Sequence, residues 1–466
     1  MRTAAARALG ACLLMSTVAA GLAACTDEGS SSTPSPVPTS EPTTTPTEKV
    51  DLLFGVYGTN AEIAVYQTMA KHFDTVDDRA DVAVSAWQNH YGLRRDIEQG
   101  KPLPDVFLVA RRDLRWFTES GLTRPVDTLL DERGVDFGDV YSRDALEAFS
   151  SDNRLQCMPY GVAPHVVFYN EDLVDFERME LRGLDVPADH RRWSWEQFVA
   201  AAKFAARPAR DTMGFSIDPT LGDLAPFVYS GGGDLFDDDS EPTSLAFAAD
   251  GTQAALETTL QLLRDPKITL SEQQLEKKTP VEWFEEGKVG MITGTRALVP
   301  ELRQVPGLRF DVMPIPSIEG QATAGEITAL CISQDAESPA TSADFMVYAS
   351  STEAVSEVVR EGYLQPANQE VAFSDDFVQP FEMPASGSVF NDSVGRMAIS
   401  PLLDSWDELE GAVEPYLRQL FYAGPVIDLP LLGAQIDAVS QPILNPETAT
   451  PTPETEAPAP TDSPSP

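Results

Sequence analysis

Positive charge is scarce in this chain. Its 466 residues carry 33 Lys and Arg against 73 Asp and Glu, a formal net charge of −40. Such a chain repels phosphate backbones and anionic headgroups, which excludes nucleic acid as a partner. Cysteine is also scarce: four residues are too few for a disulfide scaffold at this length. Cys12 and Cys25 belong to the N-terminal apolar stretch, which leaves Cys157 and Cys331 for the folded body. The histidines, His72, His90, His165 and His190, are dispersed, and none stands four residues from a second metal ligand. Phosphate-cradling, dinucleotide-binding, nucleophile-elbow and paired-histidine zinc motifs are all missing. No metal, no cofactor and no catalytic residue is assigned. A carboxylate pair of the glycosidase kind cannot be picked out among so many acids. Beyond the first 24 residues no run is long and apolar enough to span a bilayer.

Proline is plentiful by contrast. Twelve of the 37 prolines fall in residues 26–49 and 445–466, so the middle has an ordinary globular composition. Residues 1–24 open on Arg2 and Arg7 and continue as an apolar run closed by small residues, the pattern of a secretory signal. Leu22-Ala23-Ala24-Cys25 resembles the bacterial lipobox, which implies lipidation of Cys25 and a stable anchor on the outer face of the cell membrane. Residues 25–49 are a Ser/Thr/Pro-rich tether and 445–466 a similar disordered tail, both too polar to order themselves.

Hydrophobic periodicity predicts strands at 49–55, 81–87 and 106–110, with helices at 61–73, 92–99 and 114–120. Strands that alternate with helices argue for an α/β fold with a mostly parallel sheet. Residues 157–169 read as one long strand whose prolines, Pro159 and Pro164, mark a bend between layers. Ser194 with Gln197 three residues on predicts a capped helix. Further helices are expected at 252–263, 280–286, 342–350, 352–361, 407–421 and 431–443, and strands at 289–293, 310–313 and 327–332. The acidic run Asp234, Asp237, Asp238, Asp239, Glu241 lacks calcium-loop spacing and reads as a solvated turn.

Five fragments in order then resemble one family. They are Gly100-Lys-Pro-Leu-Pro-Asp-Val-Phe, Met158-Pro-Tyr-Gly-Val through Val166-Val-Phe-Tyr-Asn-Glu-Asp-Leu, Trp195-Glu-Gln-Phe, Phe284-Glu-Glu-Gly-Lys-Val-Gly-Met and Gly362-Tyr-Leu-Gln-Pro. Together they resemble the extracellular solute-binding proteins of ABC importers, in the branch of maltose-binding protein. The resemblance implies a two-lobe periplasmic-binding-protein-like fold (type II), with a ligand cleft between lobes joined by hinge crossings. Lobe I would be 50–158 plus 295–327, and lobe II 162–292 plus 331–443. Crossings would fall at 159–164, 293–294 and 328–331. Cys157 and Cys331 would then lie near two hinge strands, either disulfide-bonded or as two buried thiols.

The resemblance also implies the site. Candidates at strand ends are Tyr57 and Asn60, Trp87 and Asn89, and Arg112 and Asp113. Around the crossings lie Tyr160, His165, Thr295 and Glu326. Tyr229, Gly231 and Gly232 would form a lobe II loop, and Tyr363 would open the late Gly-x-Leu loop. Aromatic faces would stack on a sugar ring while carboxylates, amides and guanidinium groups bind its hydroxyls. Trp116, Trp195, Trp283 and Trp406 read as packing residues. The implied activity is capture of a small solute, a carbohydrate first, for ABC permease subunits by a monomer. The other readings are a binder of a polyamine, peptide or polyol phosphate, and an exported carbohydrate-active enzyme.

Overall fold

The computed structural model describes residues 49–446, except 136, 138, 139, 152 and 425. The signal, Cys25 and most of both Pro-rich tails lie outside the described residues. Thirteen strands form among the described residues: β1 (Val50–Tyr57), β2 (Ala80–Trp87), β3 (Val106–Ala110), β4 (Thr123–Arg124), β5 (Ser150–Ser151), β6 (Arg154–Leu155), β7 (Met158–Pro164), β8 (Val166–Asn170), β9 (Met213–Ser216), β10 (Val289–Gly294), β11 (Phe310–Met313), β12 (Thr323–Ser333) and β13 (Met397–Ala398).

In the first sheet β2, β1 and β3 run parallel, and β12 continues it antiparallel to β3. β7 and β4 pair along the other edge of β12, and β13 pairs with its first residues. The second sheet runs β11-β8-β10-β9. Its strands are covered on both faces, so they read as nearly continuous apolar runs. Val166, Phe168, Phe310 and Val312 face the first hydrophobic core, whereas Val167, Tyr169, Phe215 and Met313 face the second. The period of two in β8 and β11 thus splits each strand between the two cores.

Caps set the helices as the sequence indicates. Ser194 and Gln197 form a capping box at the start of the Trp195–Ala205 helix. Thr59 accepts from the Glu62 amide at the start of the Asn60–Val76 helix. The acidic run is a turn: Asp237 accepts from the amides of Thr243 and Ser244, and Asp238 from those of Ser240 and Glu241.

Three expectations are corrected. The run 157–169 is two strands, with His165 between them where the chain leaves the first sheet for the second. Pro159 and Pro164 are tolerated because β7 pairs fully only with β12; its outer edge meets a short segment through the Val162 amide to Gln365 and the Ala367 amide to Tyr160. Second, 328–331 is no crossing. These residues lie inside β12, bonded to β3 on one side, and Thr328 to Leu330 pair with β7 on the other. The chain returns from β11 to β12 through 314–322, and leaves again after β13 for the Trp406–Tyr422 helix of the second core. Third, the lobe limits shift. β11, expected in lobe I, pairs in the second sheet, while Cys331 and the helices Pro339–Ala349 and Thr352–Arg360 belong to the first core. Apolar patterning specifies a strand without naming the sheet it joins.

Cys157 and Cys331 form a disulfide that spans 174 residues of sequence and joins the start of β7 to β12. Closing a loop of that length restricts the unfolded chain strongly. Replacing both cysteines by alanine is expected to lower unfolding stability by about 2–5 kcal/mol. Denaturant titration checks this, and an unmoved midpoint would contradict it.

Candidate functional site

A cavity of about 330 Å³ opens between the two sheets, within the size range of small-molecule sites. One wall comes from the first sheet and its helices: Tyr57 at the end of β1, Glu62 and Tyr66 on the Asn60–Val76 helix, Arg112 after β3, and Glu326 and Thr328 on β12. The facing wall comes from the Leu221–Ser230 helix, Leu235, and Trp406 and Glu410 at the start of the Trp406–Tyr422 helix. His165 at the crossing, Thr295 after β10, and Tyr363 and Gln365 complete the wall.

Local rules explain these placements. Residues four apart share a helix face, so Glu62 travels with Tyr66 and Trp406 with Glu410. Gly58 has φ +149°, and a Cβ there would sit 2.1 Å from Glu62 Oε2, so glycine leaves room for that carboxylate. Gly161 on β7 lies so close to Thr328 and Leu364 that a Cβ would come within 2.8 Å of both.

Arg112 organises the charges. Its guanidinium is paired with Glu326, lies 3.4 Å from the Tyr91 hydroxyl and stacks 5.3 Å over the Trp406 ring. Burial pulls its pKa down, yet Glu326 and its other anionic neighbours leave it raised overall. Burial pushes the Glu62 carboxyl up to about 7, opposed by the Thr59 amide and assisted by Glu301. Burial also raises Glu410, although Arg112 pulls the other way.

Six buried side-chain polar atoms of the described residues lack a hydrogen-bond partner. Four of them, Tyr57 OH, His165 Nδ1, Gln365 Oε1 and Trp406 Nε1, belong to residues of this one cavity wall. A buried polar group without a partner costs about 1–3 kcal/mol, so such a concentration marks where a ligand's hydrogen bonds belong.

The structure brings Tyr57, Arg112, His165, Thr295, Glu326 and Tyr363 together at the cavity. The other candidates lie elsewhere. Asn60 opens its helix at the surface. Trp87 packs on the first core and donates to Asp96 at 2.9 Å, and Asn89 caps the next helix by accepting from Gly92. Asp113 is buried against His90 at 2.6 Å, turned away from its neighbour Arg112. Tyr160 is buried in the first core beside Tyr66 and Met69. Tyr229 packs against the second core. Gly231 lets two helices approach, since a Cβ would sit 2.4 Å from that of Ala255, and Gly232 takes the left-handed turn that follows (φ +75°).

Glu62, Tyr66, Gln365, Trp406 and Glu410 were not among the expected residues. Two signals could have found three of them. Thr59-Asn-Ala-Glu62 is a capping-box pattern at the end of β1, and Trp406 with Glu410 has the spacing of one helix face. Trp406, expected only to pack, packs against Phe236 and lines the cavity as well.

The family model for bacterial extracellular solute-binding proteins matches residues 90–385, and the chain belongs to that family. Three solved structures illustrate its fold. The ABC substrate-binding protein Lmo0181 from Listeria monocytogenes, in complex with cycloalternan, is 19% identical with a TM-score of 0.72, covering 84% of this chain and 98% of that one. The sugar-binding protein MalE from Xanthomonas citri is 17% identical with a TM-score of 0.71, over 85% and 98%. The GacH receptor of Streptomyces glaucescens, solved unliganded and with acarbose, is 18% identical with a TM-score of 0.68, over 85% and 99%. No curated protein sequence matches this chain.

Glu62 makes the stability of the ligand-free protein depend on pH. Its folded carboxyl titrates near 7 against an ordinary value of 4.5. The stabilising contribution is therefore complete below about 4.5 and is lost as pH rises through 7. Glu62→Gln is expected to gain on the native protein by about 2 kcal/mol between pH 5 and pH 8. Denaturant titration across that interval checks it, and a constant difference would remove Glu62 from this role.

Proposed function

We propose that this protein is the solute-capture subunit of an ABC importer and that its solute is a carbohydrate. The observation that carries the reading is the cavity itself: four unpartnered polar atoms on a wall that also presents Tyr57, Tyr66, Tyr363 and Trp406. A sugar offers a ring face and a rim of hydroxyls, and this wall offers aromatic faces beside hydrogen-bonding groups. The sugars in the complexes of its structural neighbours agree with that reading.

The cycle makes and breaks no covalent bond. A solute held on the first wall gains the contacts of Trp406 and Glu410 on closure, and that difference in contact drives the equilibrium towards the closed form. The single residue His165 between β7 and β8, together with 314–322 and 399–405, are the backbone segments that absorb the rotation. The permease then distinguishes the closed from the open form. The protein acts as a monomer, held at the outer face of the membrane by lipid on Cys25, with the Pro-rich tether as spacer.

Two measurements test this. A thermal-shift panel of mono- and oligosaccharides, with amino acids and peptides as controls, is expected to raise the melting temperature for at least one sugar, recovered chemically unchanged. A response confined to the controls would move the solute class, and a sugar returned cleaved would make the protein an enzyme. For the anchor, Cys25→Ser is expected to shift the protein from the membrane fraction to the medium. Retention in the membrane fraction would refute lipidation at that residue.

A further inference from the structure

The charge of the cavity wall is unbalanced, and the imbalance constrains the solute more closely than the fold does. Three carboxylates, Glu62, Glu326 and Glu410, face one guanidinium, Arg112. Arg112 is committed to Glu326. Among the described residues Glu62 and Glu410 have no ion-pair partner within salt-bridge distance.

We propose that the solute is an aminated carbohydrate whose protonated amine is received by an unpaired carboxylate of the cavity wall, Glu62 on one side or Glu410 on the other. This rests on the carbohydrate reading above and narrows it. A neutral sugar would leave two carboxylates buried in the closed cleft without a counter-charge, which is costly. An ammonium group supplies a counter-charge and donates hydrogen bonds to the carboxylate it meets. One further feature points the same way. Gln365 Oε1, on a side chain 3% exposed, is a hydrogen-bond acceptor without a donor in the same wall. Burial also pushes Glu62 and Glu410 up, Glu410 against the opposing pull of Arg112.

The test is calorimetric titration of the protein at low ionic strength with pairs that differ only in an amine against a hydroxyl. The pairs are glucosamine and glucose, galactosamine and galactose, and the β-1,4 glucosamine disaccharide and cellobiose, with spermidine as an amine without a sugar ring. At least one amine is expected to bind ten-fold or more tightly than its neutral partner, with the preference shrinking as salt is added. At least one of Glu62→Gln and Glu410→Gln, confirmed folded by circular dichroism, is expected to cut that preference at least ten-fold. Equal affinity within every pair overturns the inference and leaves the carbohydrate reading standing. Binding of spermidine alone, or of none of these probes, overturns the inference, and spermidine alone also overturns the carbohydrate reading. A preference that survives both substitutions overturns the assignment to these carboxylates.

Discussion

Strand β12 is the constraint on which the rest of this structure depends. Its eleven residues are bonded to β3 along one edge and to β7 and β4 along the other, and its first residues hold β13. Every route by which the chain passes between the sheets ends on or beside it. β7 leaves it at His165, the return from β11 enters it at Thr323, and β13 departs from its start. The strand also delivers chemistry. Glu326 and Thr328 reach the cavity from it, and Cys331 fastens it to the residue before β7. A strand bonded on both edges and cross-linked to its neighbour is a stiff support, and a cleft that closes needs one wall that does not move.

The cavity's charge pair is better understood as positioning than as stabilisation. An ion pair whose carboxylate is 48% exposed is screened by solvent, so Arg112–Glu326 contributes modestly to folding. What it does is hold a long, otherwise mobile guanidinium flat over Trp406, bridging residues of β12, the turn after β3 and the second core. Glu62 is held differently, by a helix start that needs Thr59 as cap and Gly58 as clearance. Burial outweighs that favourable helix terminus, and the carboxyl titrates near neutrality as a result.

Most elements were legible in the sequence because their signals are local. Period two in β1, β2 and β11, the capping box at Ser194 and the glycine stop after residue 286 each involve a few neighbouring side chains. Sheet membership was not legible, because Phe310 and Ile327 carry the same apolar signature and join different sheets. The site was half legible for the same reason. A strand end predicts that residues emerge near the cleft, which found Tyr57 and Arg112, while the expected crossings supplied His165, Thr295 and Glu326. It does not predict which way each one turns. Arg112 and Asp113 are adjacent, yet one reaches the cavity and the other is claimed by His90. Trp87 ends its strand as expected, but Asp96 nine residues on takes its indole N–H. Such competing partners arise only once helix and strand are packed.

The net charge of −40 invites the view that the whole molecule attracts cations, and for the encounter of solute with protein it does. It cannot set affinity in the cleft. At physiological ionic strength, charges more than about 8 Å apart across solvent are screened, and most of the acids are surface residues in that position. Only carboxylates that share the cavity with the solute escape screening. There the balance is three acids against one base, so under the proposal above selectivity for charge would reside in Glu62, Glu410 and the Arg112–Glu326 pair rather than in the composition. The same arithmetic argues against an anionic solute, since Arg112 would have to abandon Glu326 and leave a third carboxylate without its partner.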